Sequence, residues 1–332
     1  MKKALKYSFV GLVLLCTLLL CGGYYMLGYA LKPEHLPKRS RDMAASLNSM
    51  YEQYPELQPW VDSLITEGAL KDFYIESDRG ETLHALYVAA ARPTRKTAVI
   101  VHGYTDNAVR MLMIGRLYNR MMGFNILLPD LYGHGMSGGD HVQMGWKDRL
   151  DVLQWTETAD ELFSRGNAPD SLDVRDTEMV VHGISMGAAT TMMLSGEVEH
   201  GIYRQPFIKC FVEDCGYTDV WDEFRSELKA RFGLPPFPLL HTASLLCKQE
   251  YGWGFREASA LEQVKRCTLP MLFIHGDADT FVPTRMVYPL YEAKPGPKEL
   301  WVVPGSAHAM SYKDYPQEYT ERVKIFVNKY IH

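Results

Sequence analysis

The sequence predicts an α/β fold, a mostly parallel eight-stranded sheet covered by helices on both faces. Short β-rich runs alternate with helical patterns along most of the chain. Most of those runs are near-continuously apolar, as strands buried on both faces are, where half-exposed strands alternate. The rhythm breaks once, at residues 217–266, which are aromatic- and Leu-rich and hold no convincing strand. Such apolar content must bury against something. The segment reads as a helical cap over the C-terminal ends of the sheet, where open α/β folds take their ligands.

In chain order the strand runs are 73–77 (FYIES), 83–90 (LHALYVAA), 97–102 (TAVIVH), 124–129 (FNILLP), 177–182 (TEMVVH), 208–213 (IKCFVE), 270–275 (PMLFIH) and 298–303 (KELWVV). The first two, joined by Asp78-Arg79-Gly80-Glu81, read as an antiparallel hairpin at one edge. Helical patterns occupy 107–121, 146–165, 186–196, 284–293 and 316–331. Upstream, residues 32–45 form a polar tether. Residues 46–70 then carry helical apolar spacing at Leu47, Met50, Tyr51 and Tyr54, with Trp60, Leu64 and Ile65 beyond a break at Pro55. The expected organisation is an anchor at 1–32, a tether and N-terminal helix at 33–72, and one α/β domain at 73–332.

The 332-residue chain is 47% hydrophobic and 23% charged, a globular composition. A net charge of −5, with no basic stretch interleaved with aromatics, gives no reason to expect a nucleic-acid partner. No phosphate-cradling glycine-lysine loop and no internal repeat is present, and no cofactor is implied.

The N-terminus departs from that composition. No residue from Tyr7 to Leu31 is charged, enough helix to cross a hydrocarbon core of roughly 30 Å. Lys2, Lys3 and Lys6 precede it, and Tyr24, Tyr25 and Tyr29 mark an interfacial end. The expectation is an uncleaved single-pass anchor in the cell membrane with the domain outside; a cleaved, secreted signal peptide is the alternative. Lys32, Lys38, Arg39 and Arg41 follow the span and roughly balance the leading charges, so the positive-inside rule barely orients it. Six cysteines make no disulfide framework: Cys16 and Cys21 fall in the apolar span and Cys247 and Cys267 could pair. Cys210 and Cys215, an odd separation along one strand, should face opposite ways. No C-x-x-C or H-x-x-x-H metal spacing exists.

Residues 181–190, VHGISMGAAT, place one serine between two glycines where a strand meets a helix. Gly183 and Gly187 remove Cβ atoms that would clash in a tight corner, and Ala188 and Ala189 let the helix approach the sheet. The corner exposes Ser185 at the mouth of the cap and aims the Met186 N–H at any oxyanion formed there. A serine nucleophile needs a base, and the base an orienting acid. Strand 270–275 runs into HGDADTFVP (275–283), and strand 298–303 into PGSAHAM (304–310). Ser185, Asp279 and His308 thus fall in order at successive strand ends.

Here the chain resembles the α/β-hydrolase superfamily, in particular its bacterial serine aminopeptidase-like and monoacylglycerol-lipase-like branch. The matching pieces are V-H-G-Y at 101–104, D-L-Y-G-H-G-M-S at 130–137, G-I-S-M-G at 183–187, H-G-D-A-D-T-F-V-P at 275–283 and G-S-A-H at 305–308. The resemblance implies a helical cap, Ser185 as nucleophile, His308 as general base and acid, and Asp279 as the group that fixes the imidazole. It also implies the backbone N–H of Tyr104 as a second oxyanion donor beside that of Met186, with the Tyr104 side chain free to line the pocket. Asp277 is the nearest rival acid, but the family pattern places the acid two residues later; Asp214 is a variant position. The family usually carries arginine where Tyr132 stands, which puts the electrostatics of that loop in question.

His102 is expected to shape the turn before Gly103. Asp130, His134 and Ser137 are expected to order a loop, Asp140 and His141 to lie at the surface, and Asp106 to cap a helix. Methionines 111, 113, 121, 122, 192 and 193 suit helix packing. The implied activity is hydrolysis of a carboxylic ester through an acyl-enzyme, with thioesters or peptides as alternatives. The apolar cap residues Phe224, Leu228, Phe232, Leu234, Phe237, Leu239 and Leu240 hint at a lipid-like acyl substrate. An aminopeptidase would need a carboxylate for the substrate amine, from Asp219, Asp222, Glu223 or Glu227. Two further alternatives are a non-catalytic binding protein, and metal-dependent hydrolysis through His102, Asp130, His134 and His141.

Overall fold

A computed structural model of the chain describes residues 2–37, 40–166, 176–200 and 205–332. Eight strands form one sheet: β1 (Lys71–Glu76), β2 (Thr82–Val88), β3 (Lys96–Val101), β4 (Asn125–Pro129), β5 (Glu178–Ile184), β6 (Ile208–Asp214), β7 (Met271–Gly276) and β8 (Lys298–Val303). Their order is β1-β2-β4-β3-β5-β6-β7-β8. β2 is antiparallel to both its neighbours, and from β4 onward every pairing is parallel. The eight predicted runs all become strands; β2 to β7 are largely buried on both faces, as their apolar runs require, while the edge strands β1 and β8 stay partly exposed.

The helices are α1 (Lys2–Leu31), α2 (Met43–Gln53), α3 (Gln58–Thr66), α4 (Leu112–Arg116), α5 (Asp148–Gly166), α6 (Met186–His200), α7 (Val220–Phe232), α8 (Leu239–Tyr251), α9 (Ala260–Val264), α10 (Val287–Ala293), α11 (Ser311–Asp314) and α12 (Pro316–Val327). Period-two alternation divides the core. In β3, Val99 and Val101 face the layer built by α5, α6 and the cap, while Ala98 and Ile100 face the layer of α3, α4 and α12. The chain passes from β3 outward to β4, then returns to β5 on the other flank of β3. The strand order therefore reverses between β3 and β5, and a crevice opens at their C-terminal ends.

The insert forms as a cap of two helices, α7 and α8. Asp219 caps α7 by accepting from the Asp222 N–H at 2.7 Å, and Gly233 closes it in the left-handed region at φ 66°. α9, at the end of the insert, packs against α6 instead. α1 is long and apolar enough to cross a membrane. It does not stand apart from the remainder, however: its last turns pack against α8, and Leu27 and Leu31 are fully buried in the main core. The boundary expected at residue 32 therefore cuts through a packed interface. Lys38 and Arg39, two of the charges that bear on orientation, lie outside the described residues.

Three local expectations need correction. The helix expected from 107 begins at Leu112, so Asp106 caps nothing; it pairs with Arg110 at 3.3 Å. Tertiary bonds override the helical pattern, with the Ala108 N–H held by Asp130 at 2.7 Å and the Asn107 amide by Ser46 at 2.6 Å. Cys210 and Cys215 share one core layer, because Cys215 lies past the strand end at φ 56° and alternation stops there. Cys247 and Cys267 are both buried but do not pair with each other, and the Cys267 thiol points to the Leu269 carbonyl at 3.7 Å.

Candidate active site

Ser185 stands alone between the end of β5 and the start of α6, at φ 57°. A non-glycine residue rarely occupies that left-handed region unless its surroundings impose it. Here they do. A Cβ on Gly183 would lie 2.0 Å from the Gly187 carbonyl oxygen, and one on Gly187 would lie 2.1 Å from the Val101 oxygen. Strand, corner and helix therefore cross with no room for side chains. The Ser185 N–H donates to the Asp214 carbonyl at 2.8 Å and locks the turn to β6.

The structure brings the three expected residues together from three strand ends. Ser185 Oγ is 2.8 Å from His308 Nε2, and His308 Nδ1 is 2.7 Å from Asp279 Oδ2. The other oxygen of Asp279 accepts the Phe281 and Val282 N–H groups, each at 3.0 Å. Burial alone would raise the Asp279 pKa, but hydrogen bonds from His275 and His308 outweigh it and hold the carboxyl below its ordinary value. An ionised Asp279 takes the Nδ1–H, which leaves Nε2 as the acceptor for the serine hydroxyl. Of the rivals, Asp277 is exposed and accepts the Gly305 N–H at 2.6 Å. Asp214 is fully buried, takes Tyr319 Oη at 3.0 Å, and is pushed up to about 6 by desolvation.

The Gly103-Tyr104 backbone passes directly beside the serine: a Cβ on Gly103 would be 3.3 Å from Ser185 Cβ. His102 is buried, and desolvation lowers its pKa to about 3, so the ring is neutral. Its Nε2 accepts the Leu131 N–H at 2.9 Å, which makes Nδ1–H a donor to the Gly103 carbonyl at 2.7 Å. The Asp106 N–H reaches the same carbonyl at 3.2 Å. A trans peptide is planar, so fixing the Gly103 C=O also fixes the Tyr104 N–H on the opposite side. His102 thus orients the expected oxyanion donor. The other donor, the Met186 N–H, opens α6.

The loop after β4 is ordered from within. Asp130 accepts the Ala108 and Met136 N–H groups and lies 2.6 Å from His84 Nδ1. Ser137 bonds the Asp130 carbonyl at 2.7 Å, and His134 donates from Nε2 to the Tyr104 carbonyl at 2.6 Å. His141 stacks on Tyr251 with ring centroids 4.0 Å apart and contacts Asp140 at 2.7 Å. At Tyr132 the missing positive charge comes from elsewhere: the Arg79 guanidinium lies over its ring at 5.7 Å. These four candidate metal residues therefore do not converge. Among the described residues, the group of metal-capable atoms close enough to share an ion is Cys215, Asp279 and His308, within 4.8 Å of one another.

Two residues beside the site were given no role by the sequence. His275, at the end of β7, lies 3.4 Å from Asp279 Oδ2 and donates to the Val282 carbonyl at 2.9 Å. Burial would lower its pKa, but the bond to Asp279 outweighs this and raises it instead. Glu213, at the end of β6, is fully buried, and desolvation raises it from its ordinary 4.5 to about 8. The sequence signals for this pair were its position at the ends of β6 and β7 and, for His275, the first place in the H-G-D-A-D-T-F-V-P match.

Ser185 and His308 open into a cavity of about 570 Å³, within the usual range for ligand pockets. The cap lines it with Phe224, Leu228, Phe232, Leu239 and Leu240, whereas Leu234 and Phe237 are exposed. Tyr104 also lines it, its hydroxyl donating to the Ala30 carbonyl at 2.5 Å. Among the cap carboxylates, Asp219 is consumed as the α7 cap and Asp222 pairs with Arg225 at 2.8 Å. Glu223 and Glu227 reach the cavity, with Glu227 paired to Arg231.

Comparison with known proteins agrees with this architecture. A model of the "Alpha/beta hydrolase family" matches residues 98–322. The uncharacterized protein YqkD of Bacillus subtilis (strain 168) is 30% identical over 256 residues, 77% of this chain and 78% of the relative. Among solved structures, the Pyrococcus furiosus esterase Pf2001 superposes with a TM-score of 0.59 at 23% identity, covering 79% of this chain and 93% of that one. Est1E from Butyrivibrio proteoclasticus, with ferulic acid bound, gives 0.57 at 20% identity over 78% of this chain and 98% of its own. At these identities the superpositions speak for the fold.

Proposed function

The chain belongs to the alpha/beta hydrolase family, and from that premise we propose that it is a membrane-anchored serine hydrolase of carboxylic esters. The observation that carries the reading is the unbroken path from Ser185 through His308 to Asp279, at 2.8 and 2.7 Å, opening into an apolar cavity. In the proposed reaction, Ser185 Oγ attacks the ester carbonyl while His308 Nε2 takes its proton. The Tyr104 and Met186 amides hold the oxyanion. The intermediate collapses to an acyl-serine as His308 protonates the departing alkoxide. Water then gives its proton to His308 as it attacks the acyl carbon, and Ser185 leaves with that proton restored as the acid is released. The apolar N-terminal helix would hold the enzyme at a membrane, with the domain on the outer side.

One residue bears on the aminopeptidase alternative. Glu223 is 3% exposed, its Oε2 has no hydrogen-bond partner among the described residues, and it lines the cavity. Burial raises the pKa of its carboxyl well above the ordinary value, which favours the uncharged, hydrogen-bond-donating form over the carboxylate that an ammonium group needs. This favours an ester with a polar oxygen near Glu223 over a free amino terminus. The test is labelling of the full chain with a fluorophosphonate, followed by assays on p-nitrophenyl esters and aminoacyl anilides. Labelling that vanishes in Ser185→Ala, with ester turnover and intact anilides, supports the reading; a folded wild type that does not label overturns it.

A further inference from the structure

α1 divides into two parts. From Leu5 to Cys21 its large apolar side chains are nearly all exposed. From Gly22 to Leu31 it is docked. Gly22 and Gly23 meet α8 so closely that a Cβ would lie 3.1 Å from Leu239 at the first and 2.9 Å from Leu246 and Thr242 at the second. The end of the helix is then tied by polar bonds. Tyr104 Oη donates to Ala30, the Val142 N–H donates to Leu31 at 2.7 Å, and Arg231 reaches Tyr29 Oη at 3.3 Å. The Tyr29 ring packs edge-on against Phe232 of α7, with centroids 5.8 Å apart.

The docked part also faces the chemistry. Met26, Tyr29 and Ala30 line the same cavity as Ser185 and His308. Tyr104 links both features, since its backbone passes the serine while its hydroxyl holds α1. We propose that Gly22–Leu31 of the N-terminal helix is a wall of the substrate site, and that Met26 and Tyr29 select the acyl chain of an amphiphilic ester. The segment that tethers the protein is then also part of what it binds with. This rests on Ser185 being the activated nucleophile proposed above. Met26, an adaptable unbranched side chain, sets how far a chain extends along α1. Filling its position shortens the accepted chain and emptying it lengthens it.

The experiment measures labelling rates of the full-length protein in detergent with a short-chain and a dodecyl fluorophosphonate, and takes the long-to-short ratio. Met26→Trp, Met26→Ala and, on the exposed part of α1, Leu12→Trp are compared with wild type, each checked for folding by thermal unfolding. The expected result is a fall of about tenfold in the ratio for Met26→Trp, a rise for Met26→Ala, and no change for Leu12→Trp. Opposite shifts from one position are not what a merely structural defect produces. Folded Met26 variants with unmoved ratios overturn the proposal and leave the Ser185 reading standing. A wild type that labels with neither probe overturns both.

Discussion

On the sheet side of the cavity, the proposed reactive groups are pinned by short polar bonds and by backbone approaches that admit only glycine. Ser185, Asp279, His102 and the Gly103-Tyr104 peptide each have their direction set by at least one hydrogen bond to a strand end or its loop. On the cap side, Phe224, Leu228 and Leu240 meet the same space with apolar surface, joined by the docked end of α1. Dispersion and burial hold such a wall without fixing direction. Chemistry that fails when a donor moves by an ångström belongs on the first wall. Accommodation of a flexible chain belongs on the second.

That contrast ranks the expected effects of mutation. Ser185→Ala should lower ester turnover at least about 10⁴-fold with the fold intact, because the sheet wall contributes one irreplaceable atom; residual activity near wild type would dissolve the contrast. Gly187→Ala should cost about 3 kcal/mol or more in thermal unfolding, since its Cβ would land on the Val101 carbonyl. His102→Ala, which releases the Gly103-Tyr104 peptide, should lower kcat about 10²-fold with KM little changed. A rise in KM alone would instead move His102 to the binding wall. Phe224→Ala on the cap should do the reverse, shifting kcat/KM for long-chain over short-chain esters about tenfold with little change for short ones.

The last expected effect lies behind the sheet wall and is read as a slope against pH. Glu213 is held at about 8 when folded against an ordinary 4.5. The folded state therefore binds more protons across that window, and its stability falls as pH rises from about 4.5 to 8. Asp148, raised to about 7, and Asp151, raised to about 6, add slopes of the same sign. Glu213→Gln should flatten the decline by about 1 kcal/mol per pH unit, read from denaturant unfolding at several pH values. An unchanged slope would mean that Glu213 is ionised in the folded protein.

The strands, their order along the chain, the cap and the Ser185 corner were all legible in the residues. Each rests on a local rule: apolar runs for buried strands, glycine where two backbones cross, a serine flanked by both. Where tertiary bonds compete with local pattern, the sequence misled. Asp130 and Ser46 hold residues 107 and 108 out of the helix their spacing suggested. Cys215 turns to the same layer as Cys210 because a left-handed residue ends the alternation.

What the sequence by itself determined is therefore the class of fold, the membership of the sheet, and which side chains stand at strand ends, since these follow from periodicity and backbone sterics. Only the tertiary structure decided which strand ends become neighbours. It brought His275 and Glu213 to the back of Asp279, let His102 orient the Tyr104 amide, and folded the end of the N-terminal helix into the cavity wall. The partners behind them are far apart in the chain: Leu131 sets the His102 ring, Glu213 lies beside His275, and the helix end meets Ser185 across the cavity. These contacts are set by how sheet, cap and helix pack as solids, a property that no local window of sequence contains.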